Sequence, residues 1–362
     1  MKELLNPRER FALLVIDEPQ DRVPIFPLLT AHAARVGDVS LRDYYTDGVV
    51  MARCQLRARE FYHTDFISIF SEVGLIAEAL GSEFFYPEDD LPILSRPRWR
   101  KVEDAVQGLE NGFSLQGRVP VYLEAINYAW EAIADVVPVL AYVPAPFTTA
   151  HHLIEPEEFL ISLMEKPEEV KKFLTEVTKA VKLFCRLLIR AGALPILVDP
   201  LASNSVLSPQ QYQEFAFGTE KAVIEFLHRY DLDVILHICG DTSGIISLLP
   251  ETEADLVSVD KVNIREVIQT VGQRVRVIGN FDTTELWLGD GAEIKEKVAG
   301  MVVMAKTCPR GYVAATGCEV PIATPPENLQ AFVAGAREAG GFDFPKRHGS
   351  RKERKSDVKR GN

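Results

Sequence analysis

The chain has 362 residues, 47% of them apolar and 25% charged, with a formal net charge of −12. That composition suits a globular protein with a large core, and the acidic balance argues against nucleic acid as a partner, because neutralising phosphates needs a basic face. No window reaches the roughly 18 uninterrupted apolar residues of a membrane span, and MKELLNPRERF lacks the apolar run of a secretory signal, so the expectation is a cytoplasmic protein that engages no membrane.

In chain order, short β-branched apolar runs alternate with longer amphipathic ones. The predicted strands are VPIFP from Val23, DFISI from Asp65, VPVLAYV from Val137, PILVD from Pro195, DVILHI from Asp233, ADLVSVD from Ala254, RVRVIGN from Arg274 and GYVAATG from Gly311. Helical patterns separate them. KPEEVKKFLTEVTKAVKLFCRLLIRAG places Pro167 and two glutamates in its first turn and closes at Gly192. SPQQYQEFAFGTEKAVIEFLHRY opens with Ser208 as cap and Pro209 at the first helical position. TPPENLQAFVAGAREAG repeats the device. Eight strands alternating with helices predict a closed parallel sheet, a (β/α)8 TIM barrel of the α/β class.

The segment from Leu91 to Glu110 breaks the alternation and reads as a loop excursion over one end of that barrel. Residues 1–342 are expected to form a single catalytic barrel domain and 343–362 a disordered basic tail, since FPKRHGSRKERKSDVKRGN carries eight Lys/Arg against two Asp/Glu.

Polar residues finish the predicted strands: Asp199 after PILV, His237 and Cys239 after DVIL, Asp260 after LVSV, Asn280 and Asp282 after RVRVIG, Cys318 after GYVAAT. In a parallel barrel those ends form one rim, where active sites of this architecture sit. His237 and Cys239, two residues apart along a strand, point the same way. With Cys318 they supply an imidazole nitrogen and two sulfurs, the donors zinc prefers, and three protein ligands leave a position for water or substrate. The competing reading is that buried histidines and cysteines are common core residues. Asp199, Asp260 and Asn280 are the catalytic candidates; Asp199 would hold substrate or order the residues around the site, but before Pro200 it equally well starts a turn, and for Asp260 and Asp282 loop capping is the plainer reading than a direct role. His151 and His152 either line the mouth or cap a helix. The five cysteines are odd in number and unclustered, which reads as reduced thiols, and Cys54, Cys185 and Cys308 read as structural.

The strings HICGDTSGIISLL, SVD, VIGNFDTTELWLGDG and GYVAATGCEVPIATPPENLQAF, with IFSEVGLIAEALG, PFTTAHHL and LVDPLASN upstream, resemble the uroporphyrinogen decarboxylase superfamily, and most closely its zinc-dependent corrinoid methyltransferase branch, the methylcobamide:coenzyme M enzymes and related methyltransferases. The likeness runs over most of residues 10–340. It implies an α/β barrel in which His237, Cys239 and Cys318 bind Zn2+, Glu319 being a conceivable fourth ligand. It also implies methyl transfer between a small methylated or methoxylated compound, or a thiol acceptor, and the cobalt of a corrinoid. No D-x-H-x-x-G stretch of the corrinoid-ligating kind occurs here, so the expected partner is a separate corrinoid protein docking over the barrel mouth. The resemblance does not forbid a homodimer.

Two alternatives stand beside this. Metal-free decarboxylation of a carboxylated tetrapyrrole, as in the decarboxylases themselves, would need arginines at the mouth. The arginine-rich RQAGR-like motif of those enzymes is missing between Arg8 and Gly37, and Glu72 stands where they tend to have aspartate. A non-catalytic corrinoid or metal carrier would instead show a closed four-ligand site. Tyr122, Tyr142, Phe147, Phe281 and Trp287 would suit a flat methoxylated aromatic substrate, and core packing explains them equally well.

Overall fold

The computed structural model of the chain describes residues 3–70 and 72–342, so the basic tail lies outside the described residues. Its strands are β1 (Ile25–Leu28), β2 (Ile67–Ile69), β3 (Glu83–Phe85), β4 (Ile93–Arg96), β5 (Val139–Pro144), β6 (Leu194–Val198), β7 (Ile235–His237), β8 (Leu256–Ser258), β9 (Arg276–Phe281) and β10 (Tyr312–Glu319). Eight of them form one parallel sheet in the order β1-β10-β9-β8-β7-β6-β5-β2, while β3 and β4 pair antiparallel outside it. All eight predicted strands are in the barrel, and the (β/α)8 architecture is the observed one.

The alternation of side chains along each strand divides the core in two. Leu140 and Tyr142, Ile196 and Val198, Ile235, Leu256, Ile278, Val313 and Ala315 fill the barrel interior. Their neighbours Ala141, Val143, Leu197, Leu236, Val257, Val277 and Ala314 pack outward against the helices, as period-two geometry requires of a sheet covered on its outer face. Helix Pro7–Val15 covers the N-terminal end, with Phe11 and Leu14 joining the interior cluster.

β1 and β2 share no ladder; the Asp65 carboxylate closes the seam. It accepts the Ile25 N–H at 2.7 Å, Arg10 at 2.8 Å and Arg22 at 2.6 Å, while the Asp65 N–H donates to Ile25 O at 3.0 Å. Arg10 is fully buried, and Asp21 also accepts from it at 2.7 Å. A buried carboxylate is tolerable only when its lone pairs are met in this way.

The excursion is more ordered than its prolines and charges imply. Residues 93–96 pair with β3, and Val102–Glu110 is a helix whose Val102, Ala105 and Leu109 form a buried stripe. Among the described residues no helix is long and apolar enough to cross a membrane.

Candidate metal centre at the barrel mouth

His237 ends β7, and its phase follows from Ile235, which points into the barrel two residues earlier. The ladder sets His237 opposite Ser258, the last residue of β8. Ser258 Oγ lies 2.9 Å from His237 Nδ1, which fixes the ring and leaves Nε2 to face the mouth. Cys239 follows on the turn after β7 and Cys318 comes from β10. One ligand atom from each of the three residues lies within 4.8 Å of the others, and among the described residues this is the group of His, Cys, Asp and Glu side chains that so converges. His237 is 5% exposed and both cysteines are half-buried.

The donor set fits zinc. A tetrahedral ion at the usual bond lengths needs donors roughly 3.5 to 3.8 Å apart, so the three atoms are within a small adjustment of that edge. The thiols already interact: a hydrogen bond from Cys318 pulls the Cys239 thiol below its ordinary pKa against the opposing effect of burial, and the same bond, with burial, pushes Cys318 up. The Glu319 carboxylate lies outside the converging group, and burial raises its pKa.

Asp260 ties the two cysteine-bearing segments together. Its Oδ2 accepts the Gly240 N–H at 2.8 Å, directly after Cys239, and its Oδ1 would clash with a Cβ placed at Gly317, directly before Cys318. Gly240 has φ +79°, which favours glycine, and Gly317 is held to glycine by the close approach of Asp260. Asn280 Nδ2 in turn donates to Asp260 O at 2.8 Å and to Val262 O at 2.7 Å. A cleft of about 520 Å³ opens beside them, lined by Asp260, Lys261, Asn263, Asn280 and Asp282 among others. Asp282 caps helix Thr283–Leu288 through the Glu285 N–H.

Asp199 is not brought to the mouth with these. Ile196 and Val198 point inward, and Asp199 one residue later turns out toward the helix layer. There its Oδ1 accepts the Thr148 N–H at 2.9 Å and the Thr148 hydroxyl at 2.5 Å. Its other neighbour is Glu220, fully buried and accepting the Tyr212 hydroxyl at 2.6 Å. Burial raises the pKa of Asp199 to about 6 and, with the Asp199 charge, pushes Glu220 up as well. The backbone of Asp199 still serves the centre, since its N–H donates to His237 O at 3.0 Å.

His151 and His152 fall in the last turn of helix Pro146–Leu153, where His152 Nδ1 lies 2.8 Å from Thr148 O. Tyr122, Phe147 and Phe281 pack in the helix layer, Tyr142 lies in the barrel interior, and Trp287 is exposed. Ser258, Thr148 and Glu220 are absent from the sequence reading. Ser258 could have been found by aligning DVILHI with ADLVSVD from their first residues, since parallel neighbours starting together put Ser258 beside His237.

A family model described as uroporphyrinogen decarboxylase (URO-D) matches residues 6–339. Curated relatives include a methylated-thiol–coenzyme M methyltransferase of Methanosarcina mazei, 27% identical over 74% of this chain and 71% of its own. A uroporphyrinogen decarboxylase of Trichodesmium erythraeum is 29% identical over 83% and 85%, and the methylcobamide:CoM methyltransferase MtaA of Methanosarcina barkeri is 24% identical over 89% and 94%. A solved methyltransferase from Methanosarcina mazei has the same fold, with TM-score 0.81 at 24% identity over 92% of this chain and 99% of that one.

Proposed function

The chain belongs to the uroporphyrinogen decarboxylase family, and on that premise we propose that it is a zinc-dependent methyltransferase, moving a methyl group between a small O-, S- or N-methyl compound or a thiol and the cobalt of a corrinoid carried by a partner protein. The observation that carries the reading is the convergence of one imidazole and two sulfurs within 4.8 Å at the mouth. His237, Cys239 and Cys318 would hold the ion. Zinc bound there supplies Lewis acidity, lowering the pKa of an acceptor thiol or stabilising the anion left by a methyl ether or thioether.

The remaining chemistry falls to the chain and the two substrates. In the direction from cobalt to thiol, the carbon–cobalt bond breaks with both electrons left on Co(I) as the sulfur–carbon bond forms; the other direction reverses this. Asp260, through Gly240 and Gly317, would keep both cysteine-bearing segments in register, with Asn280 fixing Asp260. The relatives' names favour the same reading, two of the three just described being methyltransferases that name coenzyme M.

Arginine placement weighs against decarboxylation of a polycarboxylated tetrapyrrole. Arg10 and Arg22 are engaged with Asp65 at the N-terminal end of the barrel. Arg118 pairs with Glu72 at 2.6 Å and Glu78 at 3.0 Å.

The test is turnover by the zinc-loaded chain of methylcobalamin with 2-mercaptoethanol, and of Co(I) cobalamin with an aryl methyl ether or dimethyl sulfide, followed by the cobalamin absorbance. Zinc-dependent methyl transfer in either direction supports the reading. Inertness in both, alongside decarboxylation of a tetrapyrrole, overturns it.

A further inference from the structure

Among the described residues, nine of the seventeen exposed large apolar residues lie on segments that leave the C-terminal end of a barrel strand before its outer helix, which puts them around the mouth. They concentrate on two neighbouring elements. The first is the β3–β4 hairpin, inserted between the end of β2 and helix Val119–Ile133. Its cross-strand partners Phe84 and Leu94 are partly buried against the body, whereas the partners Phe85 and Ile93 on the other face are 55% and 52% exposed, and Leu91 nearby is 49% exposed. A two-stranded ribbon is marginal by itself, and one apolar on both faces is built to be covered on both.

The second element is helix Pro156–Glu165, which exposes Leu160, Ile161 and Met164, the last 74% exposed. It joins the hairpin directly, because the segment after β4 bonds to its start through Trp99 N–H to Leu153 O at 3.0 Å and Glu155 N–H to Trp99 O at 3.2 Å.

The hairpin tip selects among occupants. Residues 86–92, YPEDDLP, carry three acids and no base. Glu88 is paired with Arg42 at 2.7 Å, which pins the tip to the rim, while among the described residues Asp89 and Asp90 make no ion pair. Two copies joined tip to tip across this hairpin would set these acids against each other; a partner with a basic rim around an apolar patch would not.

We propose that the exposed face of the β3–β4 hairpin, with the neighbouring Leu160, Ile161 and Met164, is the docking surface for the corrinoid-carrying partner, which approaches the mouth with a basic surface. The proposal rests on the methyl-transfer reading and adds where the carrier binds. The hairpin leaves the C-terminal end of β2, the end of the barrel that carries the metal centre, so a partner seated on it lies at the mouth that a cobalt-bound methyl group must enter.

The zinc-loaded chain and its Phe85→Glu/Ile93→Glu variant are compared on two methyl sources: free methylcobalamin, and a purified methylated corrinoid protein from the same organism. A second variant, Asp89→Lys/Asp90→Lys, tests the charge. Both sets of side chains are exposed, and matching thermal melts confirm folding. The expected result is turnover of free methylcobalamin within about twofold of wild type, with KM for the corrinoid protein raised at least about tenfold in each variant and weaker salt dependence in the second. An unchanged KM for the corrinoid protein overturns the docking surface, as does a wild type that uses free methylcobalamin but no such protein, and in both cases methyl transfer stands. A dimer that the first variant converts to monomer assigns the face to a second copy and also overturns it. A wild type inert with both sources removes the methyl-transfer reading and the docking surface with it.

Discussion

Ser258 Oγ stands 2.9 Å from His237 Nδ1 across the β7–β8 ladder, so a residue that would touch neither metal nor substrate sets the orientation of the one imidazole in the centre. Partners of this kind tune metal sites strongly. Ser258→Ala is expected to lower zinc affinity about 10- to 100-fold with little change in melting temperature, checked by competition with a chromogenic chelator.

Asn280 bridges two rim carbonyls through one amide group. Asn280→Ala takes a donor from Val262 O and leaves Asp260 O with the Val262 N–H alone, and the expected cost is about 1 to 3 kcal/mol in denaturant unfolding. Zinc affinity should fall with it, because Asp260 braces the turn beside Cys239. A stability loss with unchanged zinc affinity would detach Asn280 from the centre.

At the opposite end of the barrel, Asp65 is surrounded by Arg10, Arg22 and the Ile25 N–H. Asp65→Ala removes the buried carboxylate that both guanidiniums share at the β1–β2 seam, leaving Arg10 to Asp21 and Arg22 to Glu3. Unfolding free energy should drop by about 3 to 5 kcal/mol, the largest loss among these variants, read from urea midpoints at constant slope.

Glu220 gives a pH signature. Burial, and next to it the Asp199 charge, raise its folded-state pKa well above 4.5, so the folded chain keeps a proton that the unfolded chain releases. Its contribution is fully present below about pH 4.5 and is lost as pH rises toward the folded value, at up to about 1.4 kcal/mol per pH unit. Relative to Glu220→Gln, which cannot titrate, wild type should therefore lose stability between pH 5 and 8. Parallel melting curves for the two proteins across that range would show that Glu220 is not protonated in the fold.

Much of this was legible in the sequence because barrel strands are short apolar runs whose polar residues collect at one end. His237 and Cys239 announced themselves by their i, i+2 spacing. Asp199 was assigned to the mouth although the inward phase of Ile196 and Val198 already turned it outward. Glu220 hid inside an amphipathic helix, yet it shares a face with Val223, Ile224 and Leu227, which are all buried. The β3–β4 hairpin was invisible because both of its faces are apolar, which erases the alternation that marks a strand. Helix Val102–Glu110 is only nine residues long and follows a run of arginines and prolines, so its stripe was too short to stand out.

The central claim is most directly tested by the metal content of the chain purified reduced and without added zinc, beside Cys239→Ala and Cys318→Ala. About one zinc per chain in wild type, lost in both variants while their folds persist, is the predicted result. Folded, reduced wild type that takes up no zinc even when it is offered would contradict the account.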